Sequence, residues 1–183
     1  MASATWNIDL THSGIHFTVR HMVISKVRGS FRRFSGTVSL DEQNPAVSSV
    51  SARIETASID TGVEQRDGHL RSPDFFDAEK FPTISFQSTK VEKSGDNGLR
   101  VTGNLTIRDV TREVVLETEQ LGIGKDPWGN TKAAFEAKTS IDRRDFGLQW
   151  NQALETGGVL VGEKIEIALE IQAVKAQTSE KAA

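Results

Sequence analysis

Apolar and polar residues alternate with a period of two over much of the chain. Ile15, Phe17 and Val19 alternate with His16, Thr18 and Arg20. Leu99, Val101, Gly103, Leu105 and Ile107 alternate with Arg100, Thr102, Asn104 and Thr106, and Ile165, Ile167, Leu169, Ile171 and Ala173 form a third such series. Successive side chains of a strand point to opposite faces, so each segment predicts a strand with one apolar face. Weaker alternation marks Phe34/Gly36/Val38/Leu40, Val50/Ala52/Ile54, Ile84/Phe86, Val114/Leu116 and Ala133/Phe135/Ala137. Together these predict about eight strands.

Turn chemistry makes the strands antiparallel. Asn97-Gly98 and Asp126-Pro127-Trp128-Gly129-Asn130 supply the positive φ that hairpins need. Parallel strands would require crossover helices, and only one interval breaks the period. Between Thr61 and Phe81 the spacing predicts a short helix at Val63–Leu70, ended by Pro73, and a second turn at Asp74–Ala78. Asp142–Gly158 reads as irregular.

Ser13–Met22 and Lys164–Val174 are ten- and eleven-residue segments, about 33–36 Å long at ~3.3 Å per residue. Eight strands closed into a barrel leave an interior that side chains fill or that holds one small ligand. A tall apolar interior suits a long, thin, apolar ligand, and a filled core fits the same pattern.

The 183 residues suit one domain, and a net charge of −3 argues against binding nucleic acid through its phosphates. There is no cysteine, which removes disulfides, Cys-zinc sites, iron–sulfur clusters and thiolate nucleophiles, and no tyrosine. The first residues show neither a basic nor an apolar leader region and no run is long enough for a membrane span, so the expected location is cytoplasmic.

Few motifs carry chemistry. Asp145-Phe146-Gly147 has the letters of a kinase magnesium motif, but no companion motif is present, and Gly158–Lys164 lacks the ending of a phosphate loop. His12 and His16 are four apart, yet His16 lies in a strand pattern, so no metal site is expected. His21 shares parity with Val19 and should face the apolar side, where its partner would be structural or a ligand head group. Asp142-Arg143-Arg144-Asp145 reads as a salt-linked loop, and Phe75, Phe76 and Phe81 as a satellite core. Phe146 and Trp150 would either plug a barrel end or line its entrance. Arg66, His69 and Arg71 form a cationic group that could meet a phosphate if the helix covers a barrel mouth.

Six ordered pieces carry a resemblance. They are Asp9-Leu-Thr-His12-Ser13-Gly-Ile15-His-Phe17-Thr-Val19-Arg-His21; Gly29-Ser-Phe31 with Phe34-Ser-Gly36; Arg66-Asp67-Gly-His69-Leu70-Arg71-Ser-Pro-Asp74-Phe75-Phe76-Asp77; Phe81-Pro82-Thr-Ile84-Ser-Phe86; Gly103-Asn-Leu105-Thr-Ile107-Arg-Asp109-Val-Thr111; and Arg144-Asp145-Phe146-Gly147-Leu148. The sequence resembles the YceI-like family of polyisoprenoid-binding or lipid-binding domains. The resemblance implies an extended eight-stranded antiparallel lipocalin-like β-barrel with a short helix and helical turns at one end. It also implies a long isoprenoid-type lipid inside and, frequently, a homodimer. Asp109 stands where many relatives have Gly, a turn difference.

The resulting expectation is an N-terminal extension at 1–5, a barrel domain at 6–174 and a polar tail at 175–183. A polyprenyl phosphate, polyprenol or isoprenoid quinone would lie against Phe17, Val19, His21, Ile84, Phe86, Leu105, Ile107, Phe135, Phe146, Ile167 and Leu169, with Arg66, His69, Arg71 and Arg144 as head-group candidates. No catalytic residue, cofactor or metal is expected, and the chain is read as a binding protein rather than an enzyme. Two alternatives stay open. One is a lipid-modifying enzyme using His21 with Asp67 or Asp145; the other is a lipid-free interaction or stress protein with a filled barrel.

Overall fold

The alternating segments form one antiparallel sheet that closes on itself, in a computed structural model that describes residues 3–155 and 157–177. Its strands are β1 (Ala4–Ile8), β2 (Gly14–His21), β3 (Ser25–Phe31), β4 (Phe34–Leu40), β5 (Ser49–Glu55), β6 (Ile59–Asp60), β7 (Thr83–Ser94), β8 (Gly98–Ile107), β9 (Val110–Lys125), β10 (Thr131–Asp142) and β11 (Val161–Lys175). The helix α1 spans Glu64–Arg71.

These strands make eight staves, because three staves are interrupted. β11 pairs with β2 through its first half and with β1 through its end, so β1 and β2 are one stave broken at Leu10–His12. β3 and β4 make the next, broken at Arg32–Arg33, and β5 and β6 the third, broken at Thr56–Ser58. β7 to β11 are continuous, each paired with its chain neighbour, and β11 returns to β1. The fold is therefore an eight-stranded antiparallel lipocalin-like barrel, closed everywhere except at the short β6, which pairs with β3 alone, and closure also protects against edge-to-edge association.

Several local features depart from expectation. The β7–β8 turn is Gly95-Asp96-Asn97, with the positive φ at Gly95; Gly98 already pairs with Ser94. β9 runs on to Lys125 because Phe135 pairs with Gln120 and Ala134 with Gly122, leaving Leu121 as a bulge. β1 opens at Ala4, within the stretch expected as an extension. Lys175 still belongs to β11, Ala176 donates to the Thr5 carbonyl (2.8 Å), and residues 178–183 lie outside the described residues.

The upper rim carries the β2–β3 turn, α1 and the loops after β10. The lower rim carries the β4–β5, β7–β8 and β9–β10 turns. α1 stops where Pro73 removes a donor, and the Ser72 N–H (3.1 Å) and hydroxyl (2.5 Å) both donate to the His69 carbonyl. The chain then runs through a series of turns, where the sequence predicts a second turn at Asp74–Ala78. The helix is tied down by buried Asp67, which accepts from the Thr61 N–H (2.9 Å) and hydroxyl (2.5 Å).

Candidate functional site

Inside the barrel lies a cavity of about 270 Å3 whose exposed wall is apolar. Ile15, Phe17 and Val19 of β2 and Ile165, Ile167, Leu169 and Ile171 of β11 face it. These residues are only half-buried. Since they point inward, their remaining accessible surface belongs to the cavity, and the barrel is not a filled core. Engineered apolar cavities of about 150 Å3 stay dry and take up apolar guests, so this one is suited to a hydrocarbon rather than to water.

The two ends close differently. At the lower end Trp6, 1% exposed, packs with Val38, Leu40, Ala133, Phe135 and Ala173. Lys175 Nζ lies 5.8 Å from its ring centroid. At the upper end Leu70, Phe75 and Phe76, from α1 and the turns after it, line the cavity. Phe76 meets Phe31 edge-on at 5.9 Å, and Phe75, His69 and Trp150 pack as a cluster 4.6–5.4 Å apart. The residues expected as a satellite core are thus, in Phe75 and Phe76, part of the cavity lid.

Of the eleven interior positions expected from parity, nine line the cavity: Phe17, Val19, Ile84, Phe86, Leu105, Ile107, Phe135, Ile167 and Leu169. His21 and Phe146 do not. On β2 the wall ends at Val19, and His21 is the last residue of the strand, half-buried at the rim where water reaches it. Phe146, 1% exposed, sits in the 3-10 turn Arg143–Phe146 and packs into the main apolar cluster instead.

None of the four head-group candidates lines the cavity, and each has partners of its own. Arg66 donates to the Thr61 hydroxyl (2.7 Å) and carbonyl (2.9 Å). His69 Nε2 lies 2.9 Å from Asp74 Oδ2. Arg71 bonds the Ala57 carbonyl (3.0 Å) and Glu64 (3.2 Å). Arg144 is held by Asp142 (2.6 Å) and Glu163 (3.1 Å). The Asp142 carboxyl is correspondingly lowered to about 2, chiefly by the side-chain bond from Arg144 and then by the Arg144 N–H.

The cation that does reach the wall is Arg143, 4% exposed. Its Nε donates to the Gly162 carbonyl (2.8 Å), Nη1 to those of Leu148 (2.7 Å) and Trp150 (2.9 Å), and Nη2 to that of Val161 (3.2 Å). Its acceptors are neutral, and burial pulls its pKa below the ordinary value. Arginine nevertheless stays charged in proteins. The guanidinium staples the irregular 148–162 segment to the barrel and leaves a buried positive charge at the cavity's upper end.

His21, Asp67 and Asp145, the acid–base suspects, all lie off the cavity wall. Among the described residues no three His, Cys, Asp or Glu gather as metal ligands, and no helix is long and apolar enough to cross a membrane.

Eight antiparallel staves around an apolar cavity, capped by one short helix, define the class: a lipocalin-like barrel. The chain belongs to the YceI-like family, whose domain model matches residues 6–173. It is 44% identical over 149 residues to Protein YceI of Escherichia coli O17:K52:H18, covering 80% of this chain and 78% of that protein. Among solved structures it is similar to Burkholderia cenocepacia BcnA, with TM-score 0.80 and 25% identity over 90% of this chain and 98% of the other. It also shares the fold of a polyisoprenoid binding domain from Saccharophagus degradans, with TM-score 0.68 and 14% identity over 95% and 99% of the two chains.

Proposed function

We propose that the barrel binds a long apolar lipid of the isoprenoid type, for carriage, storage or a stress response. The observation that carries this reading is the apolar cavity whose β2 and β11 walls remain uncovered by other side chains. Burial of hydrocarbon there is worth roughly 25 cal/mol per Å2. The fold shared with a domain described as binding polyisoprenoid points the same way. A cytoplasmic location, with which a cysteine-free chain is compatible, belongs to the same reading.

Arg143 refines the choice of head group. Four of the guanidinium's five N–H bonds are committed to carbonyls, so it would act on a ligand mainly as a charge. That favours a polyprenyl phosphate over a polyprenol or a quinone. Thermal unfolding with each of the three lipids tests the reading, because a ligand bound only by the folded state raises Tm by an amount that grows with the logarithm of its affinity. The phosphate should raise it most. No rise with any of them would refute the proposal.

A further inference from the structure

We propose that the β2–β3 turn docks the barrel onto an anionic lipid bilayer. Met22, Val23 and Ile24 would enter the acyl region while Arg20, Lys26 and Arg28 meet the headgroup phosphates. The docking surface rests on the turn itself, so its failure would leave the reading of the cavity untouched.

The turn is built against its own stability. Met22 and Val23 have φ of 54° and 69°. That left-handed region favours Gly, Asn and Asp and is an outlier for a β-branched residue. The chain instead places three consecutive apolar side chains there, and Ile24 is 88% exposed. Val159, also exposed, lies beside them in the neighbouring loop, where Gly158 sits against Val23.

The charges around the turn point to the same partner. Arg20 stands directly opposite Lys26, and Arg28 is the next residue of the same parity. Like charges placed directly opposite are unfavourable unless an anion joins them. The neighbouring Arg32 and Arg33 are paired with Asp60 and Glu55, whereas among the described residues Arg20, Lys26 and Arg28 are in no ion pair. From Leu10 to Leu40 the chain has five Lys and Arg and no Asp or Glu, although its net charge is −3. The acids on adjoining segments are Glu163, held by Arg144 at 3.1 Å, Glu166, opposite Thr18 and paired with Lys164 at 4.0 Å, and Glu155.

A convex apolar tip over a basic collar matches a bilayer with anionic headgroups, which attract such collars and admit such tips. A second copy of this chain would bring the same cations together. The turn also adjoins the cavity: Met22 N–H donates to the Leu160 carbonyl (2.8 Å), and Val161, the next residue, lines the cavity. Docking would therefore hold the upper end of the barrel against the membrane.

With no native cysteine, Met22→Cys carries a single environment-sensitive fluorophore, and Trp128→Cys on the lower hairpin is the control. Vesicles of phosphatidylcholine alone are compared with vesicles containing about one-third phosphatidylglycerol. Unlabelled protein is followed by flotation. The expected result is binding to the anionic vesicles only, with a blue shift at position 22 and none at 128. Ile24→Asp should weaken binding at least tenfold, and each of Arg20→Gln and Lys26→Gln about fivefold. Circular dichroism checks that these variants fold. No binding to anionic vesicles, equal binding to neutral ones, or unchanged binding of folded Ile24→Asp would overturn the proposal. So would a dimer that Ile24→Asp converts to monomer, since a second copy would then cover the turn.

Discussion

The ring of Phe17 lies over Gly29, its cross-strand partner, so closely that a Cβ on Gly29 would come within 2.9 Å of ring carbons Cε1 and Cε2. Phe86 lies over Gly103 in the same manner. Glycine in a strand interior often marks such a close approach. Here the two glycines let large rings lie along the wall and leave the centre of the barrel open.

Gly29→Ala should therefore drive the Phe17 ring into the cavity. The cost expected from overpacking is about 1–3 kcal/mol, measurable by urea unfolding. Lipid affinity should fall as well, because the displaced ring occupies ligand volume. Unchanged stability and unchanged binding would mean that the ring does not need the glycine.

Ile167→Asp would place a carboxylate on the cavity wall opposite Phe17. Leaving a charge against hydrocarbon costs at least several kcal/mol, so lipid retention should drop at least ~100-fold. The strand itself should persist, since Ile167 is only half-buried. Organic extraction beside a circular dichroism spectrum measures both; a folded variant that retains its lipid would remove this wall from the site.

Arg143→Met should destabilise the protein by about 3 kcal/mol, because the carbonyls of Leu148, Trp150, Val161 and Gly162 lose charged donors. Arg143→Lys keeps the charge but not the planar fork and should fall in between. Denaturant midpoints order the three proteins. Equal midpoints would mean that water replaces the guanidinium without loss.

Asp142 sets a small pH dependence. Its carboxyl titrates at about 2 in the folded protein against an ordinary 3.8. Its ionised form is therefore the stabilising one. The advantage of the wild type over Asp142→Asn should be complete above about pH 4 and vanish as pH falls toward 2. The site is solvent-exposed, so the advantage is small. Paired thermal melts across that window measure it; an advantage that persists at pH 2 would place its origin elsewhere.

Period-two alternation made most of the barrel legible. Phe17, Phe86, Ile107 and Ile167 reach the cavity because each lies within a regular strand, where parity decides the face. Parity fails where strands end or break. His21 closes β2, and Phe146 and Arg143 sit in a 3-10 turn, so neighbouring residues there do not simply alternate between faces. Arg143 and Arg144 are adjacent with the same chemistry, yet only tertiary packing buries one against the 148–162 carbonyls and leaves the other to Asp142 and Glu163. The length of β9 was hidden by the bulge at Leu121 and by Gly122 and Gly124, which interrupt the apolar series. β1 is five residues with only Trp6 buried, too short a signal to stand out.

Native mass spectrometry of the freshly purified protein, followed by organic extraction, tests the central claim most directly. One long-chain isoprenoid lipid per barrel is the result expected. An empty protein that also takes up no added polyprenyl phosphate, polyprenol or quinone would contradict it.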